Sequence, residues 1–237
     1  MKRLFIAALV VVAVGAIAGT ALAANAIKSS VIYNSTTPNG PATNLPSYGP
    51  EAYAFKTIGD SITFGGTARS LTNVTVTLSS WACEQGSWNG NDCVTQSGAT
   101  FSQPIRLTVR DETGAVVATS TKTFDVPYRP SASPKCTDGK WLSPKDGCKN
   151  GLANDVTFNF SNVTLPATVV YEISYDTNNY GTNPQHVAGP SDSLNVALTD
   201  SPSVGISTDT NIWIDGTEGT TFGSYTPAVQ FKAGNGS

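Results

Sequence analysis

The sequence predicts an all-β protein: a two-sheet antiparallel β-sandwich, jelly-roll-like, preceded by a signal peptide. Three observations carry that expectation. Apolar residues alternate with small polar ones in several short stretches, the two-residue period of a half-buried strand. The clearest runs from Leu71 to Trp81, with Val74, Val76 and Leu78 on one side and Thr75, Thr77 and Ser79 on the other. Beyond the signal segment, no apolar pattern at helical spacing lasts long enough to make an amphipathic helix. Charged residues make up only 13% of the chain, about half the usual share. Thr, Ser, Asn and Gly take their place, which suits pleated surfaces and tight turns.

Lys2-Arg3, an apolar run from Leu4 to Ala18 and the small-residue site Ala21-Leu22-Ala23 have the order of a secretory signal peptide. The run is shorter than the ~20 residues a spanning helix needs, and no basic stop-transfer cluster follows. Residues 1–23 are therefore expected to be removed, leaving 24–237 as one secreted, extracellular domain without a transmembrane segment. Without Lys2 and Arg3, twelve basic side chains face 17 acidic ones, a net charge of −5. That balance, with no basic cluster evident, argues against nucleic acid as a partner.

Ile27 to Tyr33 reads as an edge strand, followed by a Pro- and Gly-rich loop from Pro38 to Pro50. Tyr53 to Ile58 and Ile62 to Phe64 read as two short strands joined by Gly59-Asp60. After Leu71 to Trp81, Ile105 to Arg110 alternates again. Asp111-Glu-Thr-Gly114 supplies turn residues, and Ala115 to Val126 returns as its hairpin partner. Val156 to Phe160, Thr168 to Tyr175, Leu194 to Leu198, Ile212 to Ile214 and Val229 to Phe231 complete the series. Strands this short and this frequent fit a sandwich. Pro127 to Pro134 is read as an ordered connection across one end of it.

Four cysteines in an exported chain should pair. Cys83–Cys93 and Cys136–Cys148 are the favoured pairs, since each is close in sequence and brackets a turn-rich stretch. Each crosslink is worth roughly 3 kcal/mol through restriction of the unfolded chain. Neither C-x-x-C redox spacing nor zinc-ligand spacing occurs.

Each of these loops contains one tryptophan, Trp88 or Trp141. An exposed indole offers a flat face to the C–H side of a sugar ring, and the Asn, Asp and Gln nearby can meet hydroxyls. The structural alternative has each indole folded back as the small core of its own loop. Trp88, Trp141 and Tyr180 are the candidate ligand-binding residues, while Trp81 and Trp213 read as core.

Catalytic chemistry is thinly represented. His186 is the only histidine and no G-x-S-x-G elbow accompanies it, so no catalytic residue is assigned. Glu172 has no second acid within its own strand, Asp176 at i+4 falling just beyond Tyr175, to pair with it for paired-carboxylate hydrolysis. No metal ligand or cofactor is assigned. The loop oxygens of Asp176, Asn178, Asn179, Asp209 and Asn211 are compatible with a structural calcium ion but complete no EF-hand pattern. Asn34-Ser-Thr36, Asn73-Val-Thr75 and Asn162-Val-Thr164 are acceptor triplets of the kind a Thr-rich chain produces by chance.

Ser79-Ser-Trp81-Ala-Cys83, Gly98 to Ile105, Phe124 to Pro130, Tyr175 to Gly181 and Asp192 to Val196, in that order, resemble a group of exported bacterial β-sandwich proteins of unknown function. The similarity spans about Val31 to Phe231. Members of that group are often tethered to the cell surface by a C-terminal sorting segment, whereas the sequence here ends at Gly236-Ser237 without an apolar tail. The resemblance brings no catalytic residues with it, and the function expected of the chain is that of a non-enzymatic binding or surface-associated module. Polysaccharide or another cell-surface component is the expected partner. The alternatives are a structural or protein-interaction component of the envelope or matrix, and a glycan hydrolase using Glu172.

Overall fold

The computed structural model describes residues 29–37, 44–53, 55–175, 194–209, 211–219 and 225–235. The expected signal peptide, Tyr180, His186 and the Asp176, Asn178 and Asn179 cluster lie outside these residues.

Eight strands build two antiparallel sheets: β1 (Ser29–Asn34), β2 (Thr57–Thr63), β3 (Ser70–Ser80), β4 (Thr100–Arg110), β5 (Val116–Pro127), β6 (Leu152–Thr164), β7 (Thr168–Tyr175) and β8 (Val229–Gly234). One sheet runs β1-β8-β3-β6 and the other β2-β7-β4-β5. The pairing is nested. β1 meets β8, β2 meets β7, β3 meets β6 and β4 meets β5, and successive pairs alternate between the sheets. A long antiparallel ribbon rolled in this way is a jelly roll.

Further segments extend the frame, to seven strands in each sheet. Leu194–Thr199 continues the β8 side of β3, pairing Leu194 with Ser80 and Val196 with Leu78. Ser47–Tyr48 and Thr226–Pro227 pair with it in turn. Ile206–Ser207 and Trp213–Ile214 line the outer edge of β2, and among the described residues Trp141–Ser143 pairs with Gly147–Lys149 alone.

The inner faces fill as the period-2 pattern requires. Val74, Val76, Leu78, Phe158 and Phe231 come from the first sheet, and Ile105, Leu107, Val109, Val169, Tyr171 and Ile173 from the second, all buried. Ring contacts cross the layers, with Tyr171 to Phe231 at 5.6 Å and Phe124 to Phe158 at 5.0 Å between centroids. Burying each large apolar side chain contributes about 1.5–3 kcal/mol, so this interleaved layer dominates stability.

Two stretches differ from the sequence expectation: Ser47–Tyr48 pairs as a strand within the expected Pro38–Pro50 loop, and Tyr53 to Phe64 is arranged differently. β2 runs straight through Gly59-Asp60, and Tyr53 belongs instead to a single helical turn, Pro50–Tyr53. Gly59 is needed there because a Cβ would stand 1.7 Å from the Tyr171 carbonyl oxygen on β7. Asp60 alternates with Ile58 and Ile62 and is buried with them. Its Oδ1 accepts from the Ser61 amide at 2.8 Å, and its Oδ2 from Ser207 Oγ at 2.8 Å and Thr226 Oγ1 at 2.6 Å. Tertiary pairing and a satisfied buried carboxylate therefore override two residues that locally favour a turn.

Candidate functional site: the stapled-loop end

Both expected disulfides are present, with Cα separations of 5.5 Å for Cys83–Cys93 and 5.7 Å for Cys136–Cys148. The two loops converge, and Arg129 joins them. Its side chain is fully buried; Nη1 donates to the Trp88 carbonyl at 3.0 Å and Nη2 donates to the Gly139 carbonyl. The Arg129 amide donates to the Ala82 carbonyl at 2.9 Å, tying the same residue to the end of β3. Burial lowers its pKa to about 10, which still leaves the guanidinium charged at neutral pH. A buried cation held by carbonyls fixes both loops, because removing it would strand those acceptors.

Gly139 completes the junction. It has φ +68°, a Cβ would lie 2.7 Å from the Trp88 carbonyl, and its amide donates to Asn91 Oδ1 at 2.7 Å. The Pro127–Pro134 connection is ordered as expected. The Ala132 amide donates to the Cys93 carbonyl at 2.9 Å, and the Ser133 amide donates to the Lys140 carbonyl at 3.0 Å.

The tryptophans fall into two classes. Trp141 is 5% exposed and its Nε1 donates to the Gly151 carbonyl at 3.0 Å. It therefore supports the second loop from inside and has no face to offer a ligand, contrary to the binding role considered for it. Trp88 is half-buried and meets Trp81 edge-on, with centroids 4.9 Å apart at 74°.

Trp81 is not core. It is half-buried and donates from Nε1 to Ser79 Oγ at 3.1 Å, beyond the last residue of β3. Gly151 provides the room, since a Cβ there would stand 2.4 Å from the Trp81 indole nitrogen. The Gly151 amide donates to Asn44 Oδ1 at 3.1 Å, which holds this approach in place.

Trp213 also departs from the core expectation. It pairs with Gly59, half-buried, between Ile212 and Ile214, and its indole N–H donates to Asp209.

The first loop carries its own bracing. Asp92 Oδ1 accepts from the Ser87 amide at 3.0 Å, and this bond is the main reason its carboxyl lies below the usual range. Gln85 and Val94 exchange backbone hydrogen bonds at 3.0 and 2.9 Å. Trp88 is thus presented from a rigid frame, which spares a ligand the entropy of ordering a loop.

The other candidate chemistries have these surroundings among the described residues. Glu172 is bound to Arg110 at 3.1 Å, and its direct cross-strand neighbours are Thr108 and Gly59, neither of them an acid. Asn211 donates from Nδ2 to Glu218 Oε1 at 3.0 Å, while the Asp209 carboxylate receives the Trp213 indole. Among the described residues, no three His, Cys, Asp or Glu side chains cluster as a metal site. Among those residues too, no helix is long and apolar enough to cross a membrane. No protein family, curated protein or solved structure matches the chain.

Proposed function

We propose that the protein is an extracellular, non-enzymatic binding module whose ligand is polysaccharide, docked against the Trp81–Trp88 pair. One observation carries this reading: two partly exposed indoles in contact on a scaffold stapled by a disulfide and a buried arginine. Indoles bury a large area with few rotatable bonds, and their exposed planes complement the apolar faces of pyranose rings. Asn89, next to Trp88 in the chain, is exposed. The two disulfides agree with an oxidising compartment outside the cell.

Retention on a panel of insoluble polysaccharides, with tryptophan fluorescence as the solution readout, tests the proposal. Trp88→Ala should weaken binding about tenfold or more, equivalent to at least ~1.4 kcal/mol. Trp81→Ala should do the same, and neither should abolish the cooperative unfolding transition. Undiminished binding in both variants removes the site, and an absence of binding across the panel removes the function.

A further inference from the structure

Charge is unevenly distributed along this chain. Residues 135–149 hold four of its 14 basic side chains, Lys135, Lys140, Lys145 and Lys149, against two of its 17 acidic ones, Asp138 and Asp146. The segment carries +2 while the remainder of the chain carries −5. The two aspartates interrupt the lysines along the sequence. In the fold, these fifteen residues are the second stapled loop with its flanks.

Lys135 and Lys145 are exposed, and Lys140 and Lys149 are partly exposed. Among the described residues, Lys140 alone of the four forms an ion pair, with Asp138 at 3.7 Å. A pair this exposed contributes little and does not neutralise the loop. The loop also abuts the tryptophan pair. Arg129 grips the Trp88 carbonyl and the carbonyl of Gly139, immediately before Lys140. Lys149 pairs directly with Trp141 across the small hairpin, and the Trp141 indole N–H reaches the Gly151 carbonyl, on the glycine beside Trp81.

We infer that the ligand is an anionic polysaccharide, one bearing carboxylates along a pyranose backbone; this rests on the polysaccharide reading above. The indole faces take the sugar rings, and the ammonium groups of the second loop take the carboxylates. A locally positive loop on an acidic protein orients a polyanion toward the indoles and keeps it off the rest of the surface. Ammonium groups on flexible stems tolerate irregular carboxylate spacing, as a repeating polymer presents it.

The test compares polygalacturonate with its fully methyl-esterified form, which keeps the backbone and loses the charge. The whole chain should bind the acid form at least tenfold more tightly at low ionic strength. That preference should fall toward unity in 1 M NaCl, where screening acts within about 3 Å. The variant K135Q/K140Q/K145Q/K149Q should lose the preference while retaining the weaker binding of the ester, and Trp88→Ala should lose both. Equal affinity for acid and ester, insensitive to salt, overturns the anionic class but leaves the polysaccharide reading standing. Binding of neither polymer overturns the anionic class on this backbone, and the panel of insoluble polysaccharides then decides the polysaccharide reading. Duplex DNA binding more tightly than polygalacturonate, unaffected by Trp88→Ala, replaces the inference with nonspecific polyanion capture.

Discussion

Asp60 is an acid placed among core residues, and its surroundings set a pH dependence. Burial is the largest influence and pushes the carboxyl up to about 6, against the ordinary 3.8, despite hydrogen bonds from Thr226, Ser207 and Ser61. The folded state therefore binds the proton more tightly than the unfolded chain does. Stability from this group is fully present below pH ~3.8 and is lost as pH rises to about 6, a change of about 3 kcal/mol. Asp92 and Asp111, whose carboxyls are held below the usual range chiefly by the Ser87 amide and the Thr113 hydroxyl, act with the opposite sign and below that window. Asp60→Asn should flatten the melting temperature between pH 4 and 6, because the amide cannot ionise. An unchanged slope in that variant would assign the dependence to other groups. Asp60 itself was poorly legible in the sequence, where Gly-Asp reads as a turn. Trp81 shares the parity of Thr75, Thr77 and Ser79 rather than that of Val74, Val76 and Leu78, but it lies past the last residue of β3, where alternation no longer fixes which side is covered.

At the scale of elements, the two stapled loops differ in access. Cys83 and Cys93 are buried, whereas Cys148 is exposed and Cys136 partly so. Thiol–disulfide exchange requires a thiolate to reach a sulfur, so a dithiol should open Cys136–Cys148 first. Reduction of that bond frees the second loop, and with it the Gly139 carbonyl that Arg129 holds beside Trp88. Limited dithiothreitol followed by alkylation and peptide mapping should label Cys136 and Cys148 before Cys83 and Cys93, with a shift in tryptophan emission at the first step. Labelling in the reverse order would mean that the second loop is the better protected. The pairing of both bridges was legible from spacing alone. The clasp between them was not, because a buried arginine leaves no periodic trace and its acceptors are backbone carbonyls of residues ten and forty-one positions away. The β4–β5 hairpin stood out for the opposite reason: both strands and the turn signal are contiguous in sequence.

The whole molecule depends on its last strand. Nested pairing puts β8 between β1 and β3, in the middle of a sheet, although it comes last in the chain. Alternation identified β8 as a strand, but its partners lie roughly 150 to 200 residues earlier, a separation that no local pattern encodes. The roll therefore closes late and at high loop-closure cost, which is the condition for slow folding. Phe231 is the residue on which this closure turns. It is fully buried, with ring contacts to Tyr33 of β1 at 6.3 Å, Phe64 at 5.3 Å and Tyr171 of the facing sheet at 5.6 Å. Phe231→Ala should lower stability by about 3–5 kcal/mol in urea unfolding, through lost burial and the cavity left between the layers. Val31 is partly exposed on the edge strand, so Val31→Ala should stay within about 1 kcal/mol. Comparable losses at the two positions would mean that Phe231 bears on the core no more than the exposed Val31 does, which its full burial does not allow.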